Sequence, residues 1–388
     1  MKNAFLAFVL ITLFSCSEDN ILQPVQEDTN DLQTIIQNTF GDRVDFSNLK
    51  NYANQTIPSY INKDNTNGNT ITDEKATLGR ILFYDKNLST DNTVSCASCH
   101  QQQHAFSDIS DVSNGVNGVT GRHSMRLINS RFADEVRFFW DERATSLEDQ
   151  VTQPIQDHAE MGFSGENGAE DFNDLVTKLS DTKYYPAIFE YIYGNTTITE
   201  DRIKECLAQF VRSIQSFDSK YDDGRAQVAN EGQPFPNFTN EENQGKTIFL
   251  MPPNQGGAGC AGCHRAPEFD IDPQSLNNGV FAVFGTTGTD FDVTRSPSLR
   301  DVVKQDGSLN GNFMHDSSLN SLAAVVAHYN NINPTGNTNL DPRLQGPPGG
   351  NGQQLNLTQG EINALVAFLE TLSGSDVYTN EKWSDPFQ

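Results

Sequence analysis

The sequence predicts a mainly α fold of two tandem modules, related by internal duplication and joined by long loops. Three observations carry that expectation. The pentapeptide Cys-x-x-Cys-His occurs twice, as Cys96-Ala97-Ser98-Cys99-His100 and as Cys260-Ala261-Gly262-Cys263-His264, 164 residues apart. The surroundings of the two copies are also alike. Gly79-Arg80-Ile81-Leu82-Phe83 lies 17 residues before Cys96, and Gly245-Lys246-Thr247-Ile248-Phe249 lies 15 before Cys260. Downstream, Phe139-Trp140-Asp141 with Leu147 matches Met314-His315-Asp316 with Leu322 at identical internal spacing, and Arg122 to Leu127 resembles Arg295 to Leu299. Third, apolar residues recur at helical intervals, with Ile203, Leu207, Phe210, Val211, Ile214 and Phe217 on one face between Thr199 and Phe217, while no run of alternating strands appears.

Taken in order, the chain begins with Lys2 and the apolar run Ala4 to Phe14, broken only by Thr12 and followed by Ser15-Cys16. This reads as an export leader, residues 1–16, too short for a mature transmembrane anchor. Leu13-Phe14-Ser15-Cys16 resembles a lipobox; the alternative is an ordinary signal peptide with an incidental cysteine. Either way the expected location is outside the cytoplasm, periplasmic or outer-membrane-anchored, with membrane contact only through that lipid. Residues 17–70, rich in Asn, Asp, Gln and Thr, read as a tether and an irregular wrap. The first module is placed at 71–235, the second at 236–376, and a tail at 377–388. Capping boxes at Thr239/Glu242 and Thr358/Glu361 open helices, the latter amphipathic through Leu372 to Gly374. Residues 108–122 and 330–356, rich in Gly, Asn and Pro, read as loops.

Composition narrows the function. At 36% hydrophobic and 20% charged the chain is globular, which excludes channels and transporters. A formal net charge of −25 would repel phosphate backbones and excludes nucleic-acid binding.

Each Cys-x-x-Cys-His can form two thioether bonds to one haem and offer the adjoining imidazole to the iron. Structural zinc pairs lie closer together and lack the following histidine, and a redox Cys-x-x-Cys needs a βαβ context that the flanks do not provide. The expected cofactors are two covalently bound haem c groups, held by Cys96, Cys99 and His100 and by Cys260, Cys263 and His264. Cys206, on the buried face of its helix, reads as an inert small hydrophobe.

In these motifs the chain resembles the bacterial di-haem cytochrome c peroxidase and MauG family from about residue 70 to 374. The carriers are both pentapeptides, Ala105-Phe106-Ser107-Asp108, Phe138 to Ala144, Leu147 to Gln150, Glu160-Met161, Arg295 to Arg300 and Met314-His315-Asp316. The resemblance implies two cytochrome c-like haem domains, the N-terminal one peroxidatic and the C-terminal one for electron transfer, with Trp140 between them. It implies hydrogen peroxide as substrate and a small cytochrome c or cupredoxin as electron donor. It keeps open a MauG-like oxidation of a partner protein or small substrate; a pure electron carrier is a third reading. It further implies Glu160 as the catalytic glutamate, Gln150 as the glutamine of the ligand pocket, and a Ca²⁺ ion between the domains whose asparagine ligand is replaced here by His123. A homodimer stays open.

The repeat itself assigns the two sixth positions. Seven residues after Leu147 stands Pro154, which cannot ligate iron; seven after Leu322 stands Tyr329. The first iron is therefore expected to stay open and the second to be closed. In the resembling peroxidases a loop histidine can close the first site; Asn117 holds that register, and His104 and His123 fall off it. At the second iron Met314 competes with Tyr329. A thioether suits an electron-entry haem, which tips the balance slightly to Met314. Glu160, six residues after Pro154, is placed as the base that moves the peroxide proton, with a carboxyl raised by an apolar surround and His158 as the fallback. Arg122, Arg126, Arg143, Arg295 and Arg300 are candidate partners for haem propionates.

Overall fold

A computed structural model describes residues 29–346 and 352–387. The expected leader, with Cys16, lies outside the described residues. Twelve helical segments order the described chain: α1 (Thr29–Phe40), α2 (Asp73–Tyr84), the single turn α3 (Cys96–Cys99), α4 (Leu147–Gln150), α5 (Gln153–Gln156), α6 (Phe172–Ser180), α7 (Tyr184–Tyr193), α8 (Glu200–Ser213), α9 (Lys220–Arg225), α10 (Asn240–Leu250), α11 (Leu322–Asn330) and α12 (Gln359–Glu370). Sheet among the described residues is confined to β1 (His264–Arg265) pairing antiparallel with β2 (Asp270–Ile271), beside isolated bridges. No described helix is long and apolar enough to cross a membrane.

Local chemistry sets the helix starts. The Thr239 and Thr358 hydroxyls accept from the amides of Glu242 and Glu361, whose carboxylates accept from the threonine amides in return. Two helix crossings then organise the packing: α2 against α8, and α10 against α12. Each crossing needs a glycine. A Cβ on Gly79 would strike the Cys206 carbonyl oxygen and the Phe210 side chain, and one on Gly245 would strike the Ala364 carbonyl oxygen and the Phe368 side chain. Glycine lets the paired helices approach backbone to backbone, with Ile81, Leu82, Leu207 and Phe210 buried around one crossing and Ile248, Phe249, Leu365 and Phe368 around the other.

The first core recruits both ends of the described chain. Ile36, Phe40, Val44, Phe46 and Tyr52 enter it from the N-terminal side, and Val377 and Trp383 from the C-terminal side. Tyr84 donates to the Trp383 carbonyl at 2.7 Å, and Arg80 Nε donates to the Ser384 carbonyl at 2.6 Å. The segment 377–387 thus crosses back from the second core to close the first.

Two helix ends differ from the sequence expectation. Helix α8 stops at Ser213 instead of Phe217, because Asn129 clasps the chain beyond it: its Oδ1 accepts from the Ser216 amide at 2.9 Å, its Nδ2 donates to the Ser216 carbonyl, and its own amide donates to the Ile214 carbonyl. Helix α12 stops at Glu370, and Leu372 is buried just past the cap.

Candidate functional site

The two pentapeptides each wall a cavity. The first encloses about 610 Å³ beside Cys96, Cys99 and His100. His100 Nδ1 lies 3.2 Å from the carbonyl oxygen of Phe106, an acceptor, so the ring proton sits there and Nε2 is left bare. Burial keeps this imidazole below its ordinary pKa, hence neutral, as a metal ligand must be. Burial also pushes the Cys96 thiol up to about 12 and the Cys99 thiol to about 11.

Phe139, Gln150, Pro154, Glu160 and Met161 line the same cavity. Loop residues place Glu160: Asp157 Oδ1 accepts from the amides of Ala159 at 2.8 Å and Glu160 at 3.1 Å, and the turn around 113–120 lies on the loop through Val116 N–H to the Glu160 carbonyl at 2.9 Å. Burial, reinforced by Asp157 and opposed by Arg143, pushes the Glu160 carboxyl up to about 7. Asn117 is exposed and donates to the His158 carbonyl at 3.0 Å, away from the cavity. His158 is itself exposed, and neither it nor His104 is part of the cavity wall.

The second cavity, about 540 Å³, is walled by Cys260, Cys263 and His264 and lined by both Met314 and Tyr329. Burial, with a smaller contribution from Arg343, drives His264 down to about 4, and burial pushes the Cys260 thiol to about 12. The two competing ligands meet at a residue the sequence reading did not single out. Asn278 Nδ2 lies 3.3 Å from Met314 Sδ and 3.2 Å from the Tyr329 hydroxyl, while its Oδ1 accepts from the Val280 amide at 3.0 Å. The only sequence signal was a polar pair before a glycine, Asn277-Asn278-Gly279, in an otherwise irregular stretch.

The loops that carry Phe139 and Met314 have one construction. Each is closed by an isolated antiparallel bridge, Phe138 with Ala144 and Phe313 with Leu319, and in each the second residue is left-handed at φ 71°. Such a conformation costs a side-chain-bearing residue roughly 1–3 kcal/mol and persists where the surroundings impose it. Here it delivers one side chain into each cavity: a phenyl ring in the first, a thioether in the second.

Trp140 borders both cavities. Its Nε1 donates to the His123 carbonyl at 2.8 Å, its carbonyl accepts from the amides of Thr294 and Arg295 at 3.0 Å, and its ring lies 6.3 Å from that of His315. His123 N–H in turn donates to the His315 carbonyl at 2.8 Å, so one residue's peptide groups tie the two loops together. The His123 ring places Nδ1 3.0 Å from the Ser110 carbonyl oxygen. Among the described residues no group of three or more His, Cys, Asp and Glu gathers as a metal centre.

Both cavities suit a large planar dicarboxylate with covalent anchors. Arg295 is buried and Arg126 half-buried; both border both cavities and keep a buried Nε with no partner, a demand that anionic carboxylates would meet. His264 Nδ1 is also buried without a partner. Arg122 and Arg143 reach the first cavity but pair with Asp141. Arg300 lies away from both cavities, contrary to the sequence expectation: it is fully buried, pairs with Asp222 at 2.8 Å and packs over Tyr221 and Phe269. Cys206 is fully buried as expected, its thiol 3.3 Å from the Tyr193 hydroxyl.

Comparison with known proteins bears directly on this geometry. A family model described as di-haem cytochrome c peroxidase matches residues 73–229. The methylamine utilization protein MauG of Methylorubrum extorquens is 30% identical over 318 residues, covering 78% of this chain and 79% of that protein. The chain belongs to the di-haem cytochrome c peroxidase family. A second member, the cytochrome c551 peroxidase of Nitrosomonas europaea, is 25% identical over 317 residues, covering 78% and 80% of the two chains. Among solved structures, a MauG-like protein associated with microbial copper homeostasis superposes with a TM-score of 0.68 at 26% identity over 86% of this chain and 99% of that one. Membership in this family, with two Cys-x-x-Cys-His cavities, makes the protein an oxidoreductase with two haem c groups.

Proposed function

We propose that the protein reduces hydrogen peroxide at its N-terminal site with electrons that enter at its C-terminal site from a small cytochrome c or cupredoxin. One observation carries the reading: at the two positions matched by spacing in the two modules, the first cavity is lined by Phe139 and Pro154, neither able to ligate iron, whereas the second is lined by Met314 and Tyr329. When bound, the first haem supplies the redox iron at which peroxide is reduced, and the second supplies a one-electron relay.

The chain's own groups do the rest. Phe139, Pro154 and Met161 keep the peroxide side apolar, which is the source of the raised Glu160 carboxyl. A carboxylate with a pKa near neutrality is poised to take the proton from one peroxide oxygen and return it to the other as that oxygen leaves as water. Gln150, on the same wall, offers an amide to orient the substrate. Trp140, bordering both cavities, carries the electron across, and Arg126 and Arg295 hold the anionic edges of both groups. Met314 and Tyr329 compete for the second iron.

The repeated crossing at Gly79 and Gly245 and the repeated loops at Phe139 and Met314 support an origin of the modules, 71–235 and 236–376, by duplication. The apolar run Ala4 to Phe14, read as a leader, supports an exported protein. A MauG-like reading, in which the oxidising equivalents act on a partner protein, is favoured by one feature: the phenol of Tyr329 in the second cavity. Stopped-flow mixing of oxidised and half-reduced protein with peroxide, then with a reduced small cytochrome, tests both. Rapid reoxidation of the cytochrome is expected; persistence of the oxidised product with no cytochrome turnover would transfer the assignment to the MauG-like reaction.

A further inference from the structure

Outside the lining of the first cavity lies a polar cluster that the peroxide reaction does not use. Asp85, 4% exposed, follows α2, and its Oδ2 accepts from two phenols at once: Tyr184 at 2.6 Å and Tyr185 at 2.8 Å. Its Oδ1 is held by the Asn87 amide at 2.8 Å. Among the described residues no lysine or arginine lies within ion-pair distance of Asp85, so its charge is met by phenol and amide hydrogens, the latter including the Asn87 amide. The two rings, at the start of α7, stand 4.5 Å apart. Tyr185 is fully buried in the core against which Cys96, an anchor of the first haem, also packs. Tyr184 is half-buried and continues outward through an edge contact with Phe40 at 5.5 Å and a contact at 6.3 Å with Phe387, which is 37% exposed.

A phenol surrenders its proton when it loses an electron, so a buried tyrosine is oxidised readily only where a base already holds its hydroxyl hydrogen. Here one carboxylate oxygen holds two. We propose that Tyr185, Tyr184 and Asp85 form a redox-active relay leading from the first haem to the surface. Tyr185 gives one electron to the first haem after hydrogen peroxide has oxidised it, and its phenolic proton passes to Asp85 Oδ2. Tyr184 then gives one electron to Tyr185; Oδ2 returns its proton to Tyr185 and takes that of Tyr184. The neutral radical ends on Tyr184, at an aromatic rim where an electron-rich reductant of the phenol or indole class returns the electron, Asp85 Oδ2 gives its proton back to Tyr184, and the proton lost by the oxidised reductant goes to solvent. This outlet is separate from Trp140, which borders both cavities. The inference rests on the peroxide reading given above.

The test is rapid freeze-quench electron paramagnetic resonance of the holoprotein mixed with peroxide and no electron donor, with haem optical spectra recorded on the same mixture. An organic radical that narrows when the tyrosines are ring-deuterated is expected, with loss of that signal in Tyr185→Phe and in Asp85→Asn. Tyr184→Phe, at a less buried position, should keep a tyrosine radical but change its hyperfine pattern as the shared oxygen loses one phenol. Haem content by denaturing mass spectrometry confirms that each variant is assembled. An unchanged radical in the Tyr184→Phe/Tyr185→Phe double variant, or haem bands that respond to peroxide without any tyrosine radical, would overturn the relay while leaving the peroxide reading standing. Haem bands that do not respond to peroxide at all would overturn both.

Discussion

The two cavities are framed alike and furnished differently. Both frames consist of a glycine-mediated helix crossing, a Cys-x-x-Cys-His turn and a bridged loop that forces one side chain inward at φ 71°. Within them the same two positions hold Phe139 and Pro154 on one side and Met314 and Tyr329 on the other, and a glutamate, Glu160, lines the first cavity, whereas the carboxylate on the wall of the second, Asp341, is paired with Arg343. The frame is what binding a large planar group requires. The furnishing decides whether that group meets a substrate or merely relays electrons, so chemistry can diverge within a frame whose packing stays put.

Five experiments press on that contrast. The largest effect belongs to the feature unique to the first cavity: Glu160→Gln keeps the shape and should leave both haem spectra intact while peroxide turnover falls about 10²- to 10⁴-fold, the usual worth of positioned acid–base chemistry. Turnover close to wild type would mean that the carboxylate is not the proton carrier. The same group sets a pH dependence. With its carboxyl at about 7, Glu160 is protonated and idle as a base below that pH and ionised above it, so kcat/KM for peroxide should rise through pH 7 and level off. Arg143 holds the carboxyl down, so Arg143→Ala should move that limb to higher pH.

The shared frame predicts sameness. Gly79→Ala and Gly245→Ala each drive a methyl into a carbonyl oxygen of the crossing helix, and each should destabilise by about 1–3 kcal/mol or more in denaturant titration. A large loss at one site and none at the other would break the equivalence. The smallest effect is expected between the two. Trp140→Phe removes the bond to the His123 carbonyl, worth about 1 kcal/mol, and should slow electron delivery from the second haem while cyanide binding at the first is unchanged. Asn278→Leu should alter the near-infrared and low-spin signature of the second haem alone, since its Nδ2 reaches the two candidate ligands, Met314 and Tyr329, which line that cavity and not the first.

What could be read in the sequence was whatever chemistry or spacing keeps contiguous. The pentapeptides are legible because thioether attachment and iron ligation require neighbouring residues. Pro154 and Tyr329 are legible because a capped helix start at Leu147 and at Leu322 follows each bridged loop without insertion. Asn278 was missed because its role arises only when an irregular stretch folds back on Met314 and α11. The end of α8 was misplaced because the residue that stops it, Asn129, stands far upstream, and periodicity carries no trace of such a clasp. Arg300 was placed with the other arginines because a sequence does not tell a guanidinium that faces a cavity from one committed to Asp222.

The return of residues 377–387 to the first core has a consequence for how the molecule is made. The chain becomes available for folding from its N-terminal side and domains tend to fold in that order, yet Val377 and Trp383, which fill the first core, follow the whole second module. The first module therefore waits, incompletely sealed beside Cys96 and Cys99, until the whole second module has been made. A truncation near the C-terminus would then wound the opposite end of the sequence: the peroxide side would loosen, while the module nearest the cut kept its own core of α10 and α12.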